Sequence, residues 1–485
     1  SLDTYTVVTN DGGKTWTRIG NKNRHVDDHA MWIDPNDTGH ILIGGDGGIY
    51  ETFDNAKTWH FKANLPVTQF YRVSVDDSEP FYYVYGGTQD NNSMGGPSRT
   101  LRSDGIINED WFVTNGGDGF ESCIDPVDPN IIYAQAQYGW LVRYDKKSGE
   151  SIFIQPQPPA GEAYRWNWNA PLILSPHSHT RLYFGANKLF RSNDRGNTWQ
   201  VISPDLTRQL DRNKLPVMGK IQSVDAVSKH KSTSIFGNIV SLTESALVEG
   251  LIYAGTDDGL VQVTEDGGAH WRTIDKFPGV PDMTYVSCLL ASMHDANTVY
   301  AAFDGRKNND LAPHILVSTD RGKNWKSITA NLPDRGSVST IAEDHVKPDL
   351  LFIGTEFGVY FTIDGRKKWT QLKNGIPTTS VKDIAIQRRE NDLVLATFGR
   401  GFYILDDYTP LRHITRDRLE SENIIFPIKD ALMYIQQRGK RSMGQSYYAA
   451  ENPPFGATFT YYLKDTLETL RNLRQKAEKK AIERG

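Results

Sequence analysis

The sequence predicts an all-β fold, a β-propeller of four-stranded blades, and a recurring motif is the main reason. Six eight-residue segments, which we call octets, begin with Ser or Thr, carry Asp third and end with Trp. Successive octet Asp residues are 43 residues apart from Asp11 to Asp54, 54 from Asp266 to Asp320 and 44 from Asp320 to Asp364. These steps match the length of one propeller blade. Strand-like apolar runs lie on both sides of the octet at 192–199.

Each octet is expected to be a tight turn between the third and fourth strands of a blade. The Asp carboxylate can accept hydrogen bonds from amides across its own turn, and Gly tolerates the backbone angles that such turns need. The Trp at the start of the outgoing strand can fill the gap between neighbouring sheets. The octet Asp residues are therefore predicted to be structural: Asp11, Asp54, Asp194, Asp266, Asp320 and Asp364.

Aligning the strand and turn patterns divides the chain into seven to nine blade-like units, forming one ring or parts of two. The segments are 4–19 (the last two strands of a blade), 28–62, 69–115, 120–155, 169–203, 236–275, 284–330, 338–373 and 381–405. A polar insert at 205–234 has weak periodicity and is expected to be a loop with a short helix.

Three regions are expected along the chain. Propeller repeats, incomplete at the N-terminus, occupy 1–410, and a returning strand at 424–435 with a linker lies within 411–456. An amphipathic helix in 457–485 is expected to begin near Lys464, to pack little against the propeller and to lead to a domain outside this chain. The residues predicted to share its apolar face are Leu463, Leu467, Leu470 and Leu473.

Composition argues against several classes of function. A net charge of −5 with scattered Lys and Arg argues against a nucleic-acid partner. The chain has no apolar run near the ~20 residues that span a bilayer. Cys123 and Cys288 are interpreted as buried thiols, and the scattered His residues match no metal-site spacing, so no metal or cofactor is expected.

The face opposite the octets is where a functional site is expected. Turns alternate between the two faces of a propeller, so the turns joining second and third strands must lie away from the octets. These turns vary most between blades, and variable loops on a rigid scaffold tend to carry function. With the connections between blades they supply the ligand-binding candidates Gln89, Asp118, Arg165, Trp166, Trp168, Asn187, Arg306 and Arg400. The candidate catalytic carboxylates are Asp90, Asp257, Asp258 and Glu356.

The octets resemble the Asp box of sialidases, sortilin-type receptors and xyloglucanases. Together with the motifs at 86–91, 183–187, 202–207 and 452–456, they make the chain similar to bacterial sortilin-like proteins with BNR repeats. That resemblance implies a secreted, periplasmic or outer-membrane-surface protein and further domains in the same precursor. It is also the basis on which such proteins are labelled glycosyl hydrolases.

Two functions follow from these residues. The first is a non-catalytic module that binds or assembles a protein or glycan partner outside the cytoplasm. The second is a glycoside hydrolase, which needs two carboxylates across a sugar-binding cleft. Sialidase chemistry would need an Arg triad, for which only Arg165, Arg306 and Arg400 are suitably placed. Acids tied to their own turns favour the first function.

Overall fold

The computed structural model describes residues 4–20, 23–227, 229, 236–421, 423–439, 444 and 447–484. Its strands form seven four-stranded sheets, one three-stranded sheet and four two-stranded sheets. All described strand pairs in the named sheets are antiparallel, and each larger sheet keeps its strands in chain order, as blades of a propeller do.

Seven sheets close into a ring, because the first strands of successive blades contact one another and the last contacts the first. Blade 1 comprises Ser74–Val75, Tyr83–Gly87, Ser93–Pro97 and Phe112–Asn115, and blade 2 comprises Gly119–Ile124, Ile131–Ala136, Trp140–Asp145 and Ser151–Phe153. Blade 3 comprises Leu172–Leu174, Leu182–Gly185, Leu189–Ser192 and Gln200–Val201, and blade 4 comprises Ile239–Glu244, Ile252–Thr256, Val261–Thr264 and Arg272–Ile274. Blade 5 comprises Tyr285–Ala291, Val299–Asp304, His314–Ser318 and Lys326–Ser327, and blade 6 comprises Val338–Glu343, Leu351–Thr355, Gly358–Thr362 and Thr370–Leu372. Blade 7 has three strands, Val381–Gln387, Asp392–Thr397 and Phe402–Leu405.

The two N-terminal units lie outside this ring. The N-terminal sheet comprises Asp28–Ile33, Ile41–Gly45, Gly48–Thr52 and His60–Phe61, and the N-terminal hairpin pairs Val7–Val8 with Thr17–Arg18. Among the described residues, the hairpin has no third strand. The nine predicted segments are therefore all present, seven as a closed ring and two beside it.

The six octets adopt one hydrogen-bonded turn. In each, the hydroxyl of the first residue donates to the Asp carboxylate at 2.8–3.0 Å. The amide four residues beyond the Asp donates to the same carboxylate at 2.8–3.1 Å. The side chain four residues beyond the Asp also bonds the carboxylate in these turns, and together with the backbone amide it holds the pKa of Asp11, Asp54, Asp266 and Asp320 at about 2. Each octet carboxylate therefore accepts hydrogen bonds across its own turn.

The octet Trp connects neighbouring blades. The indole N–H of Trp199, Trp271 and Trp369 donates to the carbonyl of Ile154, Ile202 and Ile328 respectively, at 2.6, 3.1 and 2.8 Å. Each acceptor follows the fourth strand of the preceding blade. The indole ring of each Trp fills the gap between two sheets. Its N–H finds an acceptor there, as the polar atom of a buried aromatic side chain must. The prediction that this Trp packs between sheets is confirmed for these three octets.

The ring closes between blades 7 and 1. The Phe70 amide donates to the Thr397 carbonyl, and the Tyr82 hydroxyl donates to Asp392. At the centre of the ring Arg72 lies 3.7 Å from Glu121, and Asp383 accepts from the Val73 amide. Burial and the nearby Asp383 charge raise the pKa of Glu121 to about 8. Charges of both signs therefore fill the central channel beside the closing seam.

The thiols of Cys123 and Cys288 are free and half-buried. Burial raises the pKa of Cys288 to about 11, so this thiol is protonated at neutral pH.

The C-terminal region differs from the sequence expectation. Its helices are Pro410–His413, Arg416–Ser421 and Leu470–Glu483. The last begins six residues later than predicted, because Thr469 caps it by accepting from the Asn472 amide, and Tyr461–Tyr462 is a strand. No described residue of that helix is buried, so the predicted weak packing is confirmed. The expected strand at 424–435 is only Ile424–Ile425, and it pairs with Tyr461–Tyr462 outside the ring.

The remaining elements are short. Ile106–Ile107 pairs with Ala449–Ala450, and Pro216–Val217 pairs with Lys220–Ile221 in the insert. The 3-10 helices are Asn108–Asp110, Gln137–Gly139, Arg212–Lys214 and Arg306–Asn308. The expected short helix of the insert is therefore present, together with a hairpin, while 228 and 230–235 lie outside the described residues. Within the described chain, no helix combines the length and apolar character needed to cross a membrane.

Trp369→Ala and Trp16→Ala test the octet Trp as a link between blades. Trp369 is 2% exposed and Trp16 is 53% exposed, although both occupy the same octet position. We expect Trp369→Ala to lower the free energy of unfolding by ~3–5 kcal/mol, because it removes a buried aromatic ring and leaves a cavity. Trp199→Ala should cost ~2–4 kcal/mol, since Trp199 is half-buried, and Trp16→Ala less than ~1 kcal/mol. Denaturant unfolding of the three variants measures these differences; equal costs at Trp16 and Trp369 would contradict the interpretation.

Candidate functional site

The predicted site residues lie on the face opposite the octets, which we call the loop face. It carries the turns between second and third strands and the connections between blades. The structure gathers these residues into four separate groups rather than into one site. The groups are Gln89 with Asp90 and Asp118, Arg165 with Asn187, Asp257 with Asp258, and Arg306 with Glu356.

Asp90 and Asp118 of the first group are in contact with a third carboxylate, that of Asp46. We call these three residues the acid cluster. The Asp90 amide donates to Asp118 at 2.9 Å, and the Asp90 side chain is hydrogen-bonded to both other carboxyls. Asp46 comes from the N-terminal sheet, and its carbonyl accepts from the Asn91 side chain at 2.8 Å. The cluster therefore lies where the N-terminal sheet contacts blade 1.

Burial and mutual repulsion shift the protonation of the acid cluster. Burial, followed by the contact with Asp90, raises the pKa of Asp118 to about 7 and that of Asp46 above its usual range. Burial alone would raise the pKa of Asp90, but hydrogen bonds from Asp118, Asp46 and Gln89 lower it. Like charges in contact cannot all ionise together, so a proton is shared near neutral pH.

Close backbone packing places the cluster between blades 1 and 2. A Cβ on Gly87 would lie 1.9 Å from the Gly119 backbone, so only glycine fits there. Gly87 ends the second strand of blade 1 and leads directly into the turn of Gln89 and Asp90. Asp118 precedes the first strand of blade 2, and its amide donates to the Gln137 side chain at 2.9 Å.

Aromatic side chains border the cluster. Tyr71 stacks on Phe120 with ring centroids 4.5 Å apart and donates its hydroxyl hydrogen to Gln89 at 2.9 Å. Burial and the charge of Asp118 raise the pKa of Tyr71. Trp168 hydrogen-bonds Tyr71 and meets Tyr138 edge-on at 5.0 Å. Trp168 is half-buried, so only part of its surface is open beside the acids.

Arg306 and Glu356 form a charge network across blades 5 and 6. Arg306 donates to Glu356 at 2.5 Å and to both oxygens of Asp304 at 2.7–3.0 Å. Burial opposes the ionisation of Asp304, yet the Arg306 hydrogen bonds lower its pKa. Lys382 of blade 7 lies 3.9 Å from Glu356, and burial beside Arg306 lowers the pKa of this amine.

Asp257 and Asp258 are each held within the protein. Asp257 accepts from the amides of Gly237 and Asn238 at 3.0 and 2.7 Å. Asp258 accepts from the Thr256 hydroxyl at 2.5 Å and from the Arg208 amide at 2.8 Å. Burial raises the pKa of Asp257 to about 6 and raises that of Asp258. Both carboxyls are buried, so neither faces an open cleft.

Arg165 and Asn187 stabilise a connection between blades. Both donate to Asp205 at 2.8–2.9 Å, and Arg165 also donates to the Gly237 carbonyl at 3.2 Å. Trp166, one of the ligand-binding candidates, packs on Phe184 with ring centroids 4.6 Å apart, so much of its ring belongs to the core.

Arg400 is exposed and donates to two groups of its own turn, the Thr397 hydroxyl and the Gly399 carbonyl. Arg165, Arg306 and Arg400 do not form the Arg triad that sialidase chemistry would need, because each bonds a different loop.

Several residues of the loop face were not among the predicted ones. Tyr71 and Lys382 lie near the starts of first strands, where sequence gives no turn signal. Asp205 is recognisable only through its pairing with Arg165. In the part of the chain that the structure describes, no group of three or more His, Cys, Asp or Glu side chains is arranged to hold a metal ion.

Comparisons with known proteins concern the fold alone. The sequence matches no protein-family model and no curated protein. Among solved structures, it is similar to a GH74 xyloglucanase from Xanthomonas campestris at 18% identity, covering 72% of this chain and 53% of that chain with a TM-score of 0.48. The chain thus spans about half the length of that enzyme.

Two further solved structures are similar to this chain. YCF48, in a structure bound to D1 peptide, is 12% identical over 78% of this chain and 91% of that chain, with a TM-score of 0.41. U3-55K is 10% identical over 70% of this chain and 95% of that chain, with a TM-score of 0.46.

Asp118→Asn tests the shared proton of the acid cluster. The folded-state pKa of Asp118 is raised, so its contribution to stability is complete below the unfolded pKa and is lost as pH rises through about 7. Asn keeps a hydrogen-bond donor without the charge. We expect the variant to match the wild type at about pH 4 and to exceed its stability by ~1–3 kcal/mol at about pH 8.

Thermal unfolding across that pH range, with Asp225→Asn as the control at an exposed carboxyl, measures the effect. A difference between variant and wild type that does not change with pH would contradict a shared proton.

Proposed function

We propose that this chain is an extracytoplasmic, non-catalytic propeller that binds or assembles a protein or glycan partner on its loop face. The observation that carries the proposal is that each predicted catalytic acid is occupied by other protein groups. Asp257 and Asp258 are buried and bonded to amides and hydroxyls, and Glu356 is paired with Arg306. A hydrolase would need two of them facing one another across a cleft.

The chemistry of the loop face supports binding. Arg306, Lys382 and Glu356 are partly exposed. The Lys382 amine lies 5.3 Å from the centroid of the Phe398 ring, and that ring lies 5.6 Å from the ring of Tyr71. Fixed charges of both signs beside aromatic surface are typical of recognition sites, because charge fixes orientation and the rings supply contact area. A rigid ring keeps these groups in place before the partner arrives, which lowers the entropy cost of binding.

Location and further domains are part of the proposal. Both rest on a resemblance: the octets and the motif at 86–91 resemble the Asp boxes and a motif of sortilin-like BNR-repeat proteins. An extracytoplasmic compartment would suit a binding module that acts together with other domains of the same precursor.

The alternative is a glycoside hydrolase, and the acid cluster is the observation that favours it. A carboxyl with a pKa near neutrality can donate a proton at neutral pH, as the general acid of a hydrolase must. Against it, Asp90 and Asp118 are in hydrogen-bonding contact, whereas hydrolase carboxyls are ~5–9.5 Å apart to admit the sugar. The binding function is therefore preferred.

Arg306→Ala tests the binding function on an array of oligosaccharides and synthetic peptides. We expect the wild type to bind a subset of these ligands, and the variant to bind them about tenfold more weakly, because it loses a charged contact. Lys323→Ala, on the octet face of the same blade, is the matched control and should bind as the wild type does. Equal binding by both variants, or binding to nothing on the array, would contradict the proposal.

Asp90→Asn, Asp118→Asn and Asp258→Asn test the alternative on a panel of β-glucans and sialosides. We expect no turnover by the wild type, since Asp258 is buried and Asp90 and Asp118 are in hydrogen-bonding contact. Reducing-sugar and sialic-acid release are the measurements. Wild-type turnover that either Asp90→Asn or Asp118→Asn abolishes, while folding is retained, would replace the binding function by the hydrolase.

A further inference from the structure

The insert between blades 3 and 4 projects a hairpin beside the loop face. Its base is fixed to blade 4, because Arg208 donates from its amide and its guanidinium to Asp258, each at 2.8 Å. Gln262 of blade 4 also donates to the Leu206 carbonyl at 2.8 Å. Beyond this base, Pro216–Val217 pairs with Lys220–Ile221 around a two-residue turn.

The turn of this hairpin carries an apolar residue where turn chemistry disfavours it. Met218 and Gly219 have φ of 53° and 80°, and two-residue turns with two positive φ values strongly prefer Asn-Gly or Asp-Gly. Met accepts this strained conformation at a cost in stability. The Met218 side chain is 96% exposed, so no contact within the described protein compensates for that cost.

Other apolar side chains extend this exposed surface. With Met218 they form what we call the apolar tip, and all are exposed: Val217, Ile221, Val224 and Val227. Clustered exposed apolar residues mark interaction surfaces, whereas single ones are ordinary. Methionine suits such surfaces because its flexible side chain adapts to a partner.

The apolar tip lies in a basic segment of an acidic protein. Residues 208–231 contain six Lys or Arg and two Asp, although the whole chain has a net charge of −5. Lys220 on the hairpin and Lys214 in the 3-10 helix before it are exposed, and the Lys214 amine also lies 3.6 Å from the Asp211 carboxylate. Lys229 and Arg212 brace the segment, since Arg212 donates to the Lys229 carbonyl and Lys229 to that of Gln222. Acidic groups on a partner would complement this charge.

We propose that the apolar tip, Val217–Val227, is the docking element for a polypeptide partner in which acidic residues alternate with aliphatic ones. This inference rests on the proposed binding function and names the partner as protein. The aliphatic side chains would bury the partner's apolar residues, and Lys214 and Lys220 would pair with its carboxylates. Burial supplies the affinity, and the charges supply orientation and a faster encounter.

The chemistry of the apolar tip favours a polypeptide over a glycan or a membrane. Its aliphatic side chains have neither the aromatic surface nor the hydrogen-bonding groups that a sugar ring needs. Membrane-surface elements generally carry Trp or Phe as anchors, which the tip lacks.

Met218→Asn in the full-length chain tests the inference. Asn suits the positive φ, so the hairpin should be kept while its apolar end is lost. Val127→Asn is the matched control, because Val127 is exposed in a turn on the octet face. The main probe is a short peptide in which Leu or Val alternates with Glu, the acidic aliphatic peptide. Two counterpart peptides replace either Glu by Lys or Leu and Val by Ser. Vesicles of phosphatidylserine and phosphatidylcholine are the fourth probe.

Fluorescence anisotropy for the peptides and co-sedimentation for the vesicles give the affinities. We expect the wild type to bind the acidic aliphatic peptide more tightly than either counterpart, and added salt to weaken that binding. Met218→Asn should raise its Kd by about tenfold and Val127→Asn should leave it unchanged.

Binding of the acidic aliphatic peptide that Met218→Asn leaves unchanged would overturn the inference, as would preference for a counterpart or for vesicles alone. The proposed binding function would then still stand if Arg306→Ala weakened binding on the array. If the wild type bound none of these probes and nothing on the array, both the inference and the proposed binding function would be wrong.

Discussion

The structure depends on one carboxylate in each octet and the Trp that follows it. The carboxylate accepts from a hydroxyl and from turn amides, so each octet turn has the same shape. That shape directs Trp199, Trp271 and Trp369 toward the end of the preceding blade, where each indole N–H finds a carbonyl. A buried aromatic with its polar atom satisfied links adjacent sheets, and among the described residues this link joins blade 2 to 3, blade 3 to 4 and blade 5 to 6.

This arrangement separates stability from recognition. Because the octets occupy one face, the turns of the other face can differ between blades without loss of the ring. Charges on that face are mostly neutralised in local pairs, such as Arg165 with Asp205 and Arg306 with Glu356. The acid cluster is the exception, since Asp46, Asp90 and Asp118 repel one another unless they share a proton.

Sequence patterns predicted the repeating part of the molecule well. The period of the octets and the alternation of apolar residues locate every blade, because both are properties of local chain segments. The same patterns also placed Gln89, Asp118, Arg306 and Glu356 on the loop face, since turns alternate between faces. They could not decide whether Trp166 lies in the core, because the burial of an aromatic depends on Phe184 of another strand.

By itself, the sequence determined the all-β class, the blade repeat, the octet turns and the face on which variable polar residues lie. Only the tertiary structure decided that seven of the nine units close a ring, that Asp46 meets Asp90 and Asp118, and that Asp257 and Asp258 are buried. The physical reason is distance along the chain. Turn chemistry and strand periodicity act over a few residues, whereas ring closure, burial and carboxylate contacts join residues from different blades.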